Sequence, residues 1–310
     1  MNSNTLDLIR SNDHRTISKV ITNIENEKNI SNSILDDVYA EGKKAIRLGI
    51  TGPPGSGKST LTDQLIQQIL NDGKSVGIVA VDPTSPYTGG ALLGDRVRMN
   101  NYDWNDSVFI RSMGSQGSLG GLATKAQIVG DVIAASGKDF IIFETVGVGQ
   151  GEYDVIKAVD LTIVVLVPEA GDEIQLMKAG LIEVADLFVI NKSDRDGADR
   201  LLKSLTTILN TVFNNKDIIP SVFSTSADRS IGIEQLYDGI NEYLIMVKDR
   251  NLFNERQLDR YRNRVLSLIK DKLISEFWTD GKIKKLDKAT NNIKSTKISP
   301  HKLAEELLAQ

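Results

Sequence analysis

Residues Gly52-Pro53-Pro54-Gly55-Ser56-Gly57-Lys58-Ser59 constrain this chain more than any other stretch. They fit the pattern G-x-x-x-x-G-K-[ST], and the flanks are the ones that pattern needs. Arg47-Leu48-Gly49-Ile50-Thr51 before it reads as a strand. Leu61, Leu65, Ile66 and Ile69 after it mark a helix. Glycines let backbone N–H groups turn inward around phosphate oxygens, and the helix N-terminus adds partial positive charge. Lys58 places a point charge on β- and γ-phosphates, and the Ser59 hydroxyl is a ligand for Mg²⁺. A glycine-rich turn before a helix is the competing explanation, and the complete motif in this context disfavours it.

Around that anchor, short β-rich runs alternate with helical stretches. The runs are Ile46 to Thr51, Ser75 to Val81, Val108 to Arg111, Phe140 to Thr145, Leu161 to Val167, Leu187 to Asn191 and Ser221 to Thr225. Several are continuously apolar, as strands buried on both faces are, and such strands belong to parallel sheets covered by helices. The expected fold class is α/β: a three-layer P-loop NTPase with a mostly parallel central sheet and helical extensions at both ends. Ile17, Val20, Ile21 and Ile24 predict an amphipathic helix near the N-terminus. Leu258, Tyr261, Val265, Leu268, Ile269 and Leu273 predict another beyond Lys248. The expected division is 1–45, 46–248 and 249–310. The lysine-rich stretch from Lys282 to Lys297 reads as a solvated connector. Ser299-Pro300 reads as the start of a last helix.

Base recognition is assigned to Asn191-Lys192-Ser193-Asp194, an N-K-x-D pattern at the end of Leu187-Phe188-Val189-Ile190. Asp194 can accept from both N1–H and N2–H₂ of guanine. Adenine has no matching donor pair, and an unpaired carboxylate is costly. The Lys192 stem can lie over the base plane. A second base loop is expected after the strand at Ser221, with Ser226, Ala227 and Asp228 at the nucleotide and its backbone near the guanine O6. An ordinary strand-end turn is the alternative there. Asp82, Glu144 and Asp95 sit at strand ends or in a glycine-rich loop, where ligand sites of such sheets form. Because Mg²⁺ takes few carboxylates, some of the three are expected to act on water or through another group. Gly147 could sense the γ-phosphate through its N–H. The expected ligands are thus GTP or GDP with Mg²⁺, and the expected reaction is GTP hydrolysis.

Several classes drop out. The chain has no cysteine and only two histidines, His14 and His301, near opposite ends. Disulfides, thiolate metal sites and histidine triads are therefore not expected. A net charge of −4 gives no footprint for nucleic acid. No apolar run approaches the ~20 residues of a membrane span, and the first residues lack the features of a signal peptide. The expected location is the cytoplasm.

Together these residues resemble the methylmalonyl-CoA mutase-associated GTPases, older relatives of which were labelled arginine/ornithine transport ATPases. The resemblance spans roughly Ile17 to the C-terminus. It rests on the loop from Gly52 to Thr60, on Val81-Asp82-Pro83-Thr84-Ser85 and on Gly89-Gly90-Ala91-Leu92-Leu93-Gly94-Asp95-Arg96. It rests also on Gly120-Gly121-Leu122-Ala123, Glu144-Thr145-Val146-Gly147-Val148-Gly149-Gln150, Ala170-Gly171-Asp172-Glu173 and Asn191-Lys192-Ser193-Asp194. The resemblance implies a homodimeric GTPase with a C-terminal dimerisation arm. It implies a chaperone that gates cobalamin delivery to an adenosylcobalamin-dependent acyl-CoA mutase, such as methylmalonyl-CoA mutase, and that protects or reactivates it. It also implies that Gly52, Pro53, Pro54, Gly55, Ser56, Gly57, Lys58, Ser59 and Thr60 bind nucleotide. Asp82, Asp95 and Glu144 would join Lys58 and Ser59 around phosphates and metal. Many relatives have arginine where this chain has Gln116, so no role for that arginine carries over. The rivals are a nickel metallochaperone GTPase, a transport-associated NTPase or kinase, and a GTP-binding scaffold without turnover. The missing cysteines, Asp194 and the acids at strand ends argue against them in turn.

Overall fold

The apolar runs form one sheet. Its strands are β1 (Ile46–Thr51), β2 (Val76–Asp82), β3 (Val108–Gly114), β4 (Phe140–Thr145), β5 (Leu161–Leu166), β6 (Leu187–Ile190) and β7 (Ser221–Ser224). They lie in the order β3-β2-β4-β1-β5-β6-β7, and every pair is parallel. This computed structural model describes residues 3–26, 31–82, 102, 105–114, 121–145, 159–170, 181–214, 218–291, 296 and 298–309. β3 runs three residues past the expected Arg111, because its pairing with β2 continues to Asp82 opposite Gly114. All residues of β4, β5 and β6 are buried, so their mostly apolar character follows from helices on both faces. β7 is half-exposed at the sheet edge.

The helices of the described residues are α1 (Ser3–Arg10), α2 (His14–Glu25), α3 (Asn32–Glu41), α4 (Lys58–Asn71), α5 (Gly121–Ala134), α6 (Leu181–Val184), α7 (Ala198–Val212), α8 (Ile233–Asp249), α9 (Leu252–Phe277), α10 (Asp280–Thr290) and α11 (Pro300–Leu308). On one face α4 and α8 cover β1, β4 and β5, where Leu61, Leu65, Ile66 and Ile69 meet Leu48, Ile50, Phe140 and Ile163. On the other face α1, α2, α3 and α5 cover Val79, Phe109, Ile141 and Phe143. α6 and α7 cover Val164, Leu166, Phe188 and Ile190. Each such buried aliphatic side chain contributes ~1.5–3 kcal/mol by leaving water. The expected three-layer α/β class is the observed one. Ile17, Val20, Ile21 and Ile24 are the buried residues of α2, and Asp13 caps it by accepting from the Thr16 N–H.

The chain forms two compact units, Met1–Tyr261 and Arg262–Gln310. In the second, the stretch read as a solvated connector starts as α10, none of whose residues is buried. Thr279 caps it by accepting from the Lys282 N–H at 3.4 Å. Ser299 caps α11 in the same way, with Pro300 in the first turn as expected. Lys285 reaches Glu306, at 3.8 Å between charges. Among the described residues no helix is long and apolar enough to cross a membrane.

Candidate nucleotide site

Three loops meet beyond the carboxyl ends of β1, β6 and β7. The first follows β1 and contains the glycine-rich motif. Gly52 has φ +143°, and a Cβ there would lie 2.0 Å from the Val165 carbonyl oxygen of β5. Gly57 has φ +84°, and a Cβ there would lie 2.4 Å from Asn191 Nδ2. Both glycines are thus fixed by neighbours as well as by conformation. Lys58 opens α4 and is buried. Its Nζ donates to the Gly52 carbonyl at 2.9 Å and the Pro53 carbonyl at 3.1 Å. The ammonium is therefore held across the mouth of the loop.

Ser59 follows, and its Oγ donates to Glu144 Oε1 at 2.6 Å. Glu144 is the penultimate residue of the buried strand β4 and is itself buried. Beside it, Thr145 Oγ1 and Thr51 Oγ1 are bonded at 3.1 Å, joining the ends of β4 and β1. Asp82 is the last residue of β2. Asp95, Gly147 and Gln116 lie outside the described residues, as do Gly120, Gly171, Asp172 and Glu173.

The second loop follows β6. Asn191 is buried, and its amide holds three segments together. Nδ2 donates to the Ser56 carbonyl at 2.9 Å. Oδ1 accepts from the Ala227 N–H at 3.1 Å and from Thr225 Oγ1 at 3.2 Å. Lys192 adopts φ +57°, and its Nζ donates to the Gly55 carbonyl at 2.8 Å. Its stem therefore bridges the second loop and the first. The Ser193 N–H donates to the Thr225 carbonyl at 2.9 Å.

Asp194 accepts from Ser226 Oγ at Oδ1 and pairs through Oδ2 with Arg229 at 2.9 Å. The Ser226 hydroxyl holds this carboxyl below its ordinary range, with Arg229 and Arg195 adding to the effect. Ser226 and Ala227 are buried, and Asp228 lies in the short helical turn Ala227–Arg229. The residues expected from Gly52 to Thr60, at Asn191, Lys192 and Asp194, and from Ser226 to Asp228, thus gather at one edge of the sheet with Glu144. Sequence reasoning missed Arg229, which belongs to no motif. It also missed the bracing by Asn191, whose partners lie far away in the sequence and leave no local signal.

A family model for the methylmalonyl-CoA mutase-associated GTPase MeaB matches residues 17–282. The chain belongs to this family. A GTPase of Pyrococcus abyssi is 37% identical over 308 residues, covering 98% of this chain and 95% of that one. GTPase ArgK of Escherichia coli is 36% identical over 245 residues, covering 76% of this chain and 73% of that one. A crystal structure described as a LAO/AO transport system kinase superposes with a TM-score of 0.71 at 22% identity, covering 100% of this chain and 98% of that one. That likeness concerns the fold. As a member of the mutase-associated GTPase family, the protein is a P-loop GTP hydrolase and binds guanine nucleotide.

Proposed function

We propose that this GTPase hydrolyses GTP with magnesium at the three-loop edge, and serves as a chaperone for an adenosylcobalamin-dependent acyl-CoA mutase. The observation that carries the first part is the Asn191 amide, which ties the phosphate loop to the base loops. One ligand then spans the Lys58 ammonium and the Asp194 carboxylate. In this reading Gly52 to Thr60 wrap the phosphates, with Gly147 at the γ-phosphate. Asn191, Lys192, Asp194, Ser226, Ala227 and Asp228 surround guanine.

The Ser59 hydroxyl and the Glu144 carboxylate meet at the loop mouth and are oxygen donors of the kind magnesium takes. The residues present fit the ion. Ser59, Asp82, Asp95 and Glu144 are the groups that would hold it, directly or through water. When bound, magnesium neutralises charge on the β- and γ-phosphates. In hydrolysis a water oxygen bonds to the γ-phosphorus while the bond to the β–γ bridging oxygen breaks, leaving GDP and inorganic phosphate. Lys58 stabilises the charge on the transferring group, and the loop around the phosphates holds it in line.

The chaperone role is supported by the family to which residues 17–282 belong. We assign 1–45 to a helical extension, 46–248 to the GTPase domain and 249–310 to a dimerisation arm. The homodimer is supported by α9, where Leu258, Tyr261, Val265, Leu268, Ile269 and Leu273 form an exposed apolar row. The test is to combine the purified protein with an adenosylcobalamin-dependent acyl-CoA mutase and follow co-elution and GTP turnover. Co-elution with faster turnover is expected. A mutase that neither binds the GTP and GDP forms nor alters turnover contradicts the chaperone role.

A further inference from the structure

We infer that Arg229 is a positioning residue for base recognition, which fixes the plane of the Asp194 carboxylate by holding the oxygen that Ser226 does not. This rests on the reading that Asp194 meets guanine.

The argument begins with acceptor sites. A carboxylate has roughly four lone-pair sites, two on each oxygen. Ser226 Oγ donates to Oδ1, while Arg229 reaches Oδ2 through NH2 at 2.9 Å. The two donors sit on different oxygens, so each oxygen retains a site. The N1–H and N2–H₂ of guanine need that pair of acceptors side by side. The terminal torsion of an aspartate is broad and nearly two-fold. A carboxylate held at one oxygen swings about that contact, and one held at both oxygens does not.

The loop is built to bring both donors to one acid. The turn Ala227–Arg229 closes with the Arg229 N–H on the Ser226 carbonyl at 2.9 Å. Ser226 and Ile231 exchange backbone hydrogen bonds at 3.0 and 3.2 Å, and Ser230 between them adopts φ +56°. Gly232 follows with φ +74°, where a Cβ would lie 2.2 Å from the Ser224 carbonyl oxygen. Arg195 is the nearer cation in sequence, yet it pairs with Glu169. The guanidinium on Asp194 is therefore that of Arg229. The competing account is an ordinary surface ion pair, since the Arg229 side chain is 59% exposed.

Nucleotides separate the accounts. Inosine diphosphate keeps N1–H but lacks the 2-amino group, so it presents a single donor. Dissociation constants for GDP and inosine diphosphate are measured by calorimetry with Arg229→Ala and Arg229→Lys. For Arg229→Ala the GDP constant is expected to rise about threefold to fivefold, the upper range for an exposed pair. The inosine constant stays near the wild-type value, so discrimination between the two falls by the same factor. Lysine restores part of it.

Equal losses for both nucleotides would assign Arg229 to loop structure. No change would reduce it to a surface pair, and tighter GDP binding would make it a competitor. Each overturns the inference. Asp194→Asn, measured in parallel, separates the two levels of failure. Guanine preference retained there overturns the role of Asp194 and this inference with it. Preference lost there, with discrimination intact in Arg229→Ala, overturns this inference alone.

Discussion

The two edges of the sheet use charge in opposite ways. At the carboxyl edge, Lys58 and Lys192 rest on backbone carbonyls, and Asp194 is shared between a hydroxyl and an exposed arginine. At the amino edge, charges are closed on one another. Arg47 of β1 pairs with Asp131 of α5, both buried. Asp160 accepts from the Arg47 N–H at 2.9 Å and from the Arg260 guanidinium. Asp186 accepts from the Thr162 N–H at 2.8 Å, from Tyr243 at 2.5 Å and from Arg256 at 2.7 Å. Exposed partners and backbone carbonyls can be exchanged for a ligand at lower cost than a buried ion pair, whose breaking strands its other half. Binding and stability are thereby placed at opposite ends of the same strands.

The contrast can be broken at either edge. The largest effect is expected from Asp131→Ala, which leaves Arg47 buried beside an apolar side chain and costs ~3–5 kcal/mol. Chemical denaturation would measure the loss, with guanine selectivity of the surviving fold unchanged. Lys58→Ala should reverse that pattern. GTP turnover falls by ~10²–10³, the scale for removing a transition-state donor, while the unfolding midpoint shifts little. Asn191→Ala tests whether the carboxyl edge has a keystone. Loss of its buried hydrogen bonds costs ~1–3 kcal/mol, and GDP and GTP binding should weaken together in calorimetry.

A further effect concerns pH. Burial pushes the Lys138 ammonium, at the amino edge, down to about 8. Its Nζ donates to Asn12 Oδ1 at 2.9 Å and to the Asp106 carbonyl at 2.6 Å. Between that value and the ordinary lysine range of about 10.4, the unfolded chain binds more protons than the folded one. Stability contributed by this group therefore rises with pH across the window. Denaturation midpoints from pH 7.5 to 10 should climb more steeply for wild type than for Lys138→Met.

The carboxyl edge was far more legible in the sequence than the amino edge. Its residues fall in short contiguous motifs, because a loop around phosphate is made by neighbours in the chain. The strands were legible because burial on both faces leaves unbroken apolar runs, as in Ile163-Val164-Val165-Leu166. The partners at the amino edge are far apart in sequence, with Arg47 and Asp131 separated by 84 positions and Arg47 and Asp160 by 113. No local pattern links such residues, and each alone reads as surface charge. Asn191 was recognised for its motif, yet its bonds to Ser56, Thr225 and Ala227 emerge only when three distant loops meet. The lysines of α10 marked it as solvated, and none of its residues is buried.

The most direct test of the carboxyl edge as a guanine site is a calorimetric titration of the full chain with GTP and with ATP, each with magnesium. The account predicts that GTP binds at least ~10³-fold more tightly, since ATP leaves the Asp194 carboxylate without matching donors. Equal affinity for the two nucleotides, or binding of neither, would contradict it.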